Sequence, residues 1–156
     1  MTNRLQNGFT LIELTVVLMV SGLLFAISLP SFSKLSEMRD YRDAVRQVVS
    51  AANGARAMAH RTQVPVDLIF HVDDKRLAVV GVGGVPDEWA PFQLPDSLEL
   101  TVTSAAALSE SADTSVIRFY PAGGASGGDI ALIRDSGGGT LIQIGWLLAD
   151  VRQTKI

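Results

Sequence analysis

Apolar and polar positions follow different rhythms in successive stretches of the chain. Residues 9–29, FTLIELTVVLMVSGLLFAISL, are apolar on every side of a helical wheel apart from one charge, Glu13. At about 1.5 Å rise per residue this helix is roughly 32 Å long, close to the roughly 30 Å hydrocarbon core of a bilayer, so the stretch is predicted to span a membrane. Ser21 and Gly22 are small positions inside it, suited either to close helix approach or to nothing special. Pro30 ends the run and predicts a kink or local loosening.

From Pro30 onward the rhythm becomes amphipathic. Phe32, Leu35, Met38, Tyr41, Val45, Val48, Ala52, Ala55 and Ala59 recur at steps of three and four. Lys34, Glu37, Arg39, Asp40, Arg42, Asp43 and Arg46 fall on other faces, either as a solvated surface or as contacts to neighbouring subunits. The helix is expected to end near Thr62, with Pro65 just beyond.

Period two then takes over. VPVDLIFHV (64–72) and RLAVVGV (76–82) predict a hairpin turning at Asp73-Asp74-Lys75. The segment 83–96, with Gly83-Gly84, Pro86, Pro91 and Pro95, excludes long regular structure. Strands are expected at 98–103, 116–120 and TLIQI (140–144), and a polar loop at 104–115. The expected fold class is α+β: a long N-terminal helix, its first half membrane-spanning, packed on an antiparallel β-sheet head.

Composition narrows the reading. Thirteen Lys and Arg against 16 Asp and Glu give a net charge of −3, so the overall balance argues against a nucleic-acid-binding footprint. Cysteine is absent, and disulfides cannot indicate the compartment. The charge count does not set the orientation of the span, because Lys34, Arg39, Arg42 and Arg46 follow it while Arg4 precedes it.

Glu13 is the position that hydropathy leaves unexplained. A carboxylate in a membrane helix costs a few kcal/mol near the centre, less near an end, and ordinarily has a partner. A cut between Gly8 and Phe9 would create such a partner, a new α-amino group one helical turn before Glu13 and also within reach of a shifted neighbour.

The residues G-FTLIE followed by an apolar run closely resemble the class III signal of type IV pilins and type II secretion pseudopilins. The resemblance implies cleavage by prepilin peptidase between Gly8 and Phe9, N-methylation of Phe9, and use of Glu13 in subunit assembly. The implied organisation is a leader peptide (1–8), a transmembrane and assembly helix (9–29), its amphipathic continuation (30–62) and a periplasmic β-rich head (63–156). RFYPAGGASGGDIALI (118–133), the Gly-rich turn and TLIQI after it, and GARAMAHRTQVPVDL (54–68) further resemble H-type minor pseudopilins and the related T- and U-type minor pilins. GWLLADVR departs from that group's usual glycine ahead of the final strand, leaving the last strand's pairing open.

The resemblance implies a minor pseudopilin of the type II secretion system, a structural subunit at or near the tip of the periplasmic pseudopilus that helps export folded proteins. The implied localisation is the bacterial inner membrane, single-pass, with the head in the periplasm. Implied partners are prepilin peptidase, other major and minor pseudopilins, the inner-membrane assembly platform and the membrane. The alternative is a minor pilin of a surface type IV pilus, serving adhesion, twitching or DNA uptake, with Arg118, Arg134, Arg152 and Lys155 as its candidate DNA patch.

Other chemistry is weakly signalled. His60 and His71 lack metal-ligand spacing. Asp73-Asp74 and Asp129 with Asp135 lack a calcium-loop pattern and read as turn residues. Gly123-Gly124, Gly127-Gly128 and Gly137-Gly138-Gly139 lie between strand-like segments and read as hairpin turns rather than phosphate cradles. No nucleophile motif is present, so neither an enzyme nor a cofactor site is expected. Trp146 is expected to be packed, and Trp89 to be the better contact residue.

Overall fold

The computed structural model describes residues 9–82, 92–105 and 113–156, excluding the side chains of 26–35. The long helix α1 runs from Leu11 to Thr62. The strands are β1 (Val66–His71), β2 (Arg76–Gly81), β3 (Phe92–Gln93), β4 (Leu98–Ser104), β5 (Thr114–Phe119), β6 (Gly128–Arg134), β7 (Gly139–Ile144) and β8 (Val151–Lys155). The chain divides into two units, one through Met38 and one from Arg39.

The second unit is built on two antiparallel sheets, ordered β3-β2-β1-β5 and β4-β6-β7-β8. The period-two pattern explains the first of them. Val66, Leu68 and Phe70 of β1 are fully buried and alternate with more exposed positions, as do Leu77 and Val79 of β2. Their hairpin turns at 72–75, where Lys75 takes a positive φ of 51° and its amide bonds Val72 carbonyl oxygen.

One core joins the helix to both sheets. Val45, Val48, Ala52, Ala55 and Ala59, all on the amphipathic stripe, are buried with Phe70, Phe119, Ile130, Leu132 and Ile142. Ala44 and Ala51 widen that face. Four small side chains at 51, 52, 55 and 59 remove bulk between helix and sheets, and all four are buried. Tyr41 reaches the opposite layer, its hydroxyl 2.6 Å from Thr140 Oγ1, and the Arg134 guanidinium lies over its ring at 5.1 Å.

Pro30 sits inside α1, which is assigned as one helix on both sides of it. Two expectations are corrected, one on the glycines after β5 and one on Trp146. Gly123-Gly124 do turn a short hairpin at the end of β5, where Gly123 amide bonds Tyr120 carbonyl oxygen and Phe119 bridges Ala125 antiparallel; Gly127-Gly128 instead lead the chain into β6, which belongs to the other sheet. Three of these four have positive φ, and a Cβ on Gly128 would stand 2.7 Å from Thr103 carbonyl oxygen. The glycines at 137–139 turn the hairpin between β6 and β7.

The last strand, whose pairing was open, is β8, antiparallel to β7 with Ile142 opposite Gln153. The loop before it is tied at its base by the Gly145 amide bonding Asp150 carbonyl oxygen. Trp146, expected to be packed, is instead 70% exposed. The tight loop reverses the chain so soon after β7 that residues 146–148 project outward, and Ala149, with φ at 51°, takes the buried place.

Candidate functional site

The start of α1 is the part of the chain with the most distinctive surface. Thr10 precedes the first helical residue, and its side chain caps the helix, with Glu13 amide donating to Thr10 Oγ1 at 3.3 Å. Glu13 therefore occupies the third position of the first turn, where a carboxylate is favoured by the positive end of the helix dipole. The Thr-x-x-Glu spacing is a capping-box pattern that was available in the letters TLIE, and it gives Glu13 a local role besides any intermolecular one.

Around this cap the surface is apolar on all sides. Phe9 is 84% exposed, and Leu11, Ile12, Leu14, Val16, Val17 and Leu18 are exposed with it, a pattern that continues to Phe25. An exposed helix with apolar residues all round has no stable place in water, and it calls for lipid or other helices around it. Ser21 is the most covered position of this stretch, and a Cβ on Gly22 would meet nothing within 4 Å. Among the described residues no helix is long and apolar enough to cross a membrane. The side chains of 26–29, the end of the predicted span, lie outside the described residues, as does Gly8.

In the head, the most fully bonded side chains form a cross-strand ion pair. Asp67 of β1 stands directly opposite Arg118 of β5. The guanidinium binds both carboxylate oxygens, each at 2.7 Å, the bidentate geometry that arginine favours. The hydrogen bond to Asp67 raises the Arg118 pKa further, with burial acting against it. Ser126 clamps the same residue from the inter-sheet connection, receiving Arg118 amide at 3.0 Å and donating its own amide to Arg118 carbonyl oxygen at 2.8 Å. The pair locks β5 at the point where the chain leaves the first sheet.

The other sequence candidates are dispersed. Arg118 is held by Asp67 in one sheet, while Arg134, Arg152 and Lys155 belong to the other, Arg152 being paired with Asp150 at 2.7 Å. His60 lies in the last turn of α1, whereas His71 ends β1 within 3.5 Å of Thr114 Oγ1. Asp73 and Asp74 are in the β1–β2 turn, Asp129 accepts from Gln143 at 3.2 Å, and Asp135 lies in the β6–β7 turn. Among the described residues no three potential metal-ligating side chains gather. Trp89 lies outside the described residues. The exposed group at Trp146, Leu147 and Leu148 had no forewarning beyond the letters WLL between two strand-like segments.

Residues 3–29 match the family model described as the prokaryotic N-terminal methylation motif. That motif heads a long helix whose later part packs on antiparallel sheets. Among solved structures the chain is similar to the minor pseudopilin EpsH from the Type 2 Secretion System of Vibrio cholerae, at 12% identity over 79% of this chain and 94% of that one, with a TM-score of 0.45. No curated protein matches.

Proposed function

We propose that the chain is a minor pseudopilin, a structural subunit of a type II secretion pseudopilus located at or near its tip. The observation that carries this reading is the methylation motif at 3–29, set on an exposed, all-apolar helix start with Glu13 in its first turn. Prepilin peptidase hydrolyses the Gly8–Phe9 bond and methylates the new amine of Phe9. One methyl group leaves that amine protonatable, and it pairs with Glu13 of a neighbouring subunit.

Residues 9–29 hold the precursor in the inner membrane as its transmembrane helix, and residues 30–62 continue that helix into a periplasmic head. Other pseudopilins and the inner-membrane platform are its assembly partners. The likeness of 54–68 and 118–133 is shared by H-type minor pseudopilins and the related T- and U-type minor pilins, and the net charge of −3 speaks against a DNA-binding surface pilin.

The test is intact mass and N-terminal analysis of the protein recovered from membranes, with and without prepilin peptidase. A chain beginning at methylated Phe9 only when the peptidase is present supports the reading. A chain beginning at Met1 in both samples ends it and leaves residues 9–29 as a plain anchor.

A further inference from the structure

β8 is the edge of its sheet, and among the described residues it pairs with β7 alone. Which of its backbone groups remain open follows from the ladder. Gly139 and Ile156 exchange both of their amide bonds, and Gly145 amide bonds Asp150 carbonyl oxygen. Antiparallel pairs alternate between bonded and non-bonded. Residues 150, 152, 154 and 156 therefore turn their groups toward β7, and Val151, Gln153 and Lys155 turn theirs outward. An open edge of this kind is a template for another strand.

We infer that β8 pairs antiparallel with β8 of a second copy of this chain, about a two-fold axis at Gln153. The outward residues are arranged symmetrically about Gln153, so this register sets Gln153 against Gln153, and Val151 against Lys155 in both directions. Every outward amide and carbonyl of both strands is then bonded, whereas a shift of two residues towards the loop sets Lys155 of both copies opposite Ala149, outside β8. A two-fold contact of this type is self-complementary by construction.

The side chains fit the same register. Trp146, Leu147 and Leu148, between 64% and 70% exposed, wall a groove with Asp150 and Arg152 at the start of β8. Ile156, at the other end of the strand, is 54% exposed and shares the face of Arg152 and Thr154. Antiparallel pairing about Gln153 places Ile156 of each copy opposite Asp150 of the other, at the mouth of that groove. Two apolar features that water would otherwise cover meet each other twice. Arg152, the cation nearest the axis, is neutralised within its own chain by Asp150 at 2.7 Å.

The loop is also built to hold its shape. Ala125 amide bonds Trp146 carbonyl oxygen at 2.9 Å, and Gly124, at φ 80°, packs so close to that oxygen that a Cβ would stand 2.8 Å from it. The pairing makes no use of the N-terminal segment and holds whether or not Phe9 is methylated.

The chain has no cysteine, so one introduced thiol is unique. In the detergent-solubilised full chain, Gln153→Cys faces itself across the axis, where Cα atoms of a bonded pair lie about 5.5 Å apart, within disulfide range. Mild oxidation is expected to give several-fold more covalent dimer than Asp113→Cys, an exposed control outside β8. Gln153→Pro removes an outward amide that β7 does not use, and is expected to sediment as a smaller species than the wild type while circular dichroism stays unchanged. Equal cross-linking of the two cysteine variants overturns the inference, as does a Gln153→Pro chain that keeps the wild-type sedimentation, or a thiol at position 153 that captures only another protein. Processing at Phe9 is scored in the same samples, which separates failure here from failure of the proposed function.

Discussion

Glu13 and Asp67 are both carboxylates that need a partner, and they obtain one in different ways. Asp67 has Arg118 within its own fold, in a bidentate pair largely shielded from water. Replacing Asp67 by Asn leaves a half-buried guanidinium with weaker bonds, and is expected to cost about 1–3 kcal/mol in thermal or denaturant unfolding. The pH dependence follows from the raised Arg118 pKa. Stability from a raised pKa is fully present below the unfolded value and disappears only as pH rises through the folded one. For arginine that window is strongly alkaline, so the Arg118 contribution should stay constant across neutral pH. At Glu13 the bond to Thr10 Oγ1 is made by the backbone amide, while the carboxylate sits in the first turn, where the helix dipole favours it. Glu13→Gln is expected to leave cleavage at Gly8–Phe9 intact while abolishing incorporation into sedimentable filaments, which mass spectrometry of membrane and filament fractions measures.

At the scale of elements, α1 shows why pattern reading succeeds for some segments and not for others. Its buried face was legible because Val45, Val48, Ala52, Ala55 and Ala59 recur with the helical period, and each is buried. Ala55→Leu is therefore expected to overpack the helix–sheet contact and cost about 1–3 kcal/mol. Ala57→Leu, two residues away on the exposed side, should change unfolding by no more than about 0.5 kcal/mol. β1 and β2 were legible for the same reason, with alternation on both sides of a turn-forming Asp-Asp-Lys. The inter-sheet step at Gly127-Gly128 was not, because glycines that lead between layers and glycines that turn a hairpin look alike as letters. What distinguishes them is the partner of the next strand: β6 pairs with β4, from well before β5 in the chain, a non-local choice that no short window contains.

The whole molecule separates a surface meant for company from a core that completes itself. Residues 9–29 announced their apolar run and their motif in sequence, whereas the Trp146 loop did not announce itself, since three apolar letters between strands fit burial as well as exposure. Only the tight closure by Gly145 and Asp150 decides the matter. If the chain works in a pseudopilus, deleting it should impair export of folded proteins in a secretion assay and leave twitching and DNA uptake intact; the reverse outcome assigns it to a surface pilus.

The cap at Thr10 has a bearing on maturation. The helix draws its first side-chain cap from a residue that lies after the Gly8–Phe9 bond, so under the proposed cleavage the fastening would survive loss of the leader. Maturation would then be conformationally silent: it would change the charge and chemistry at the tip of a helix that keeps its own cap.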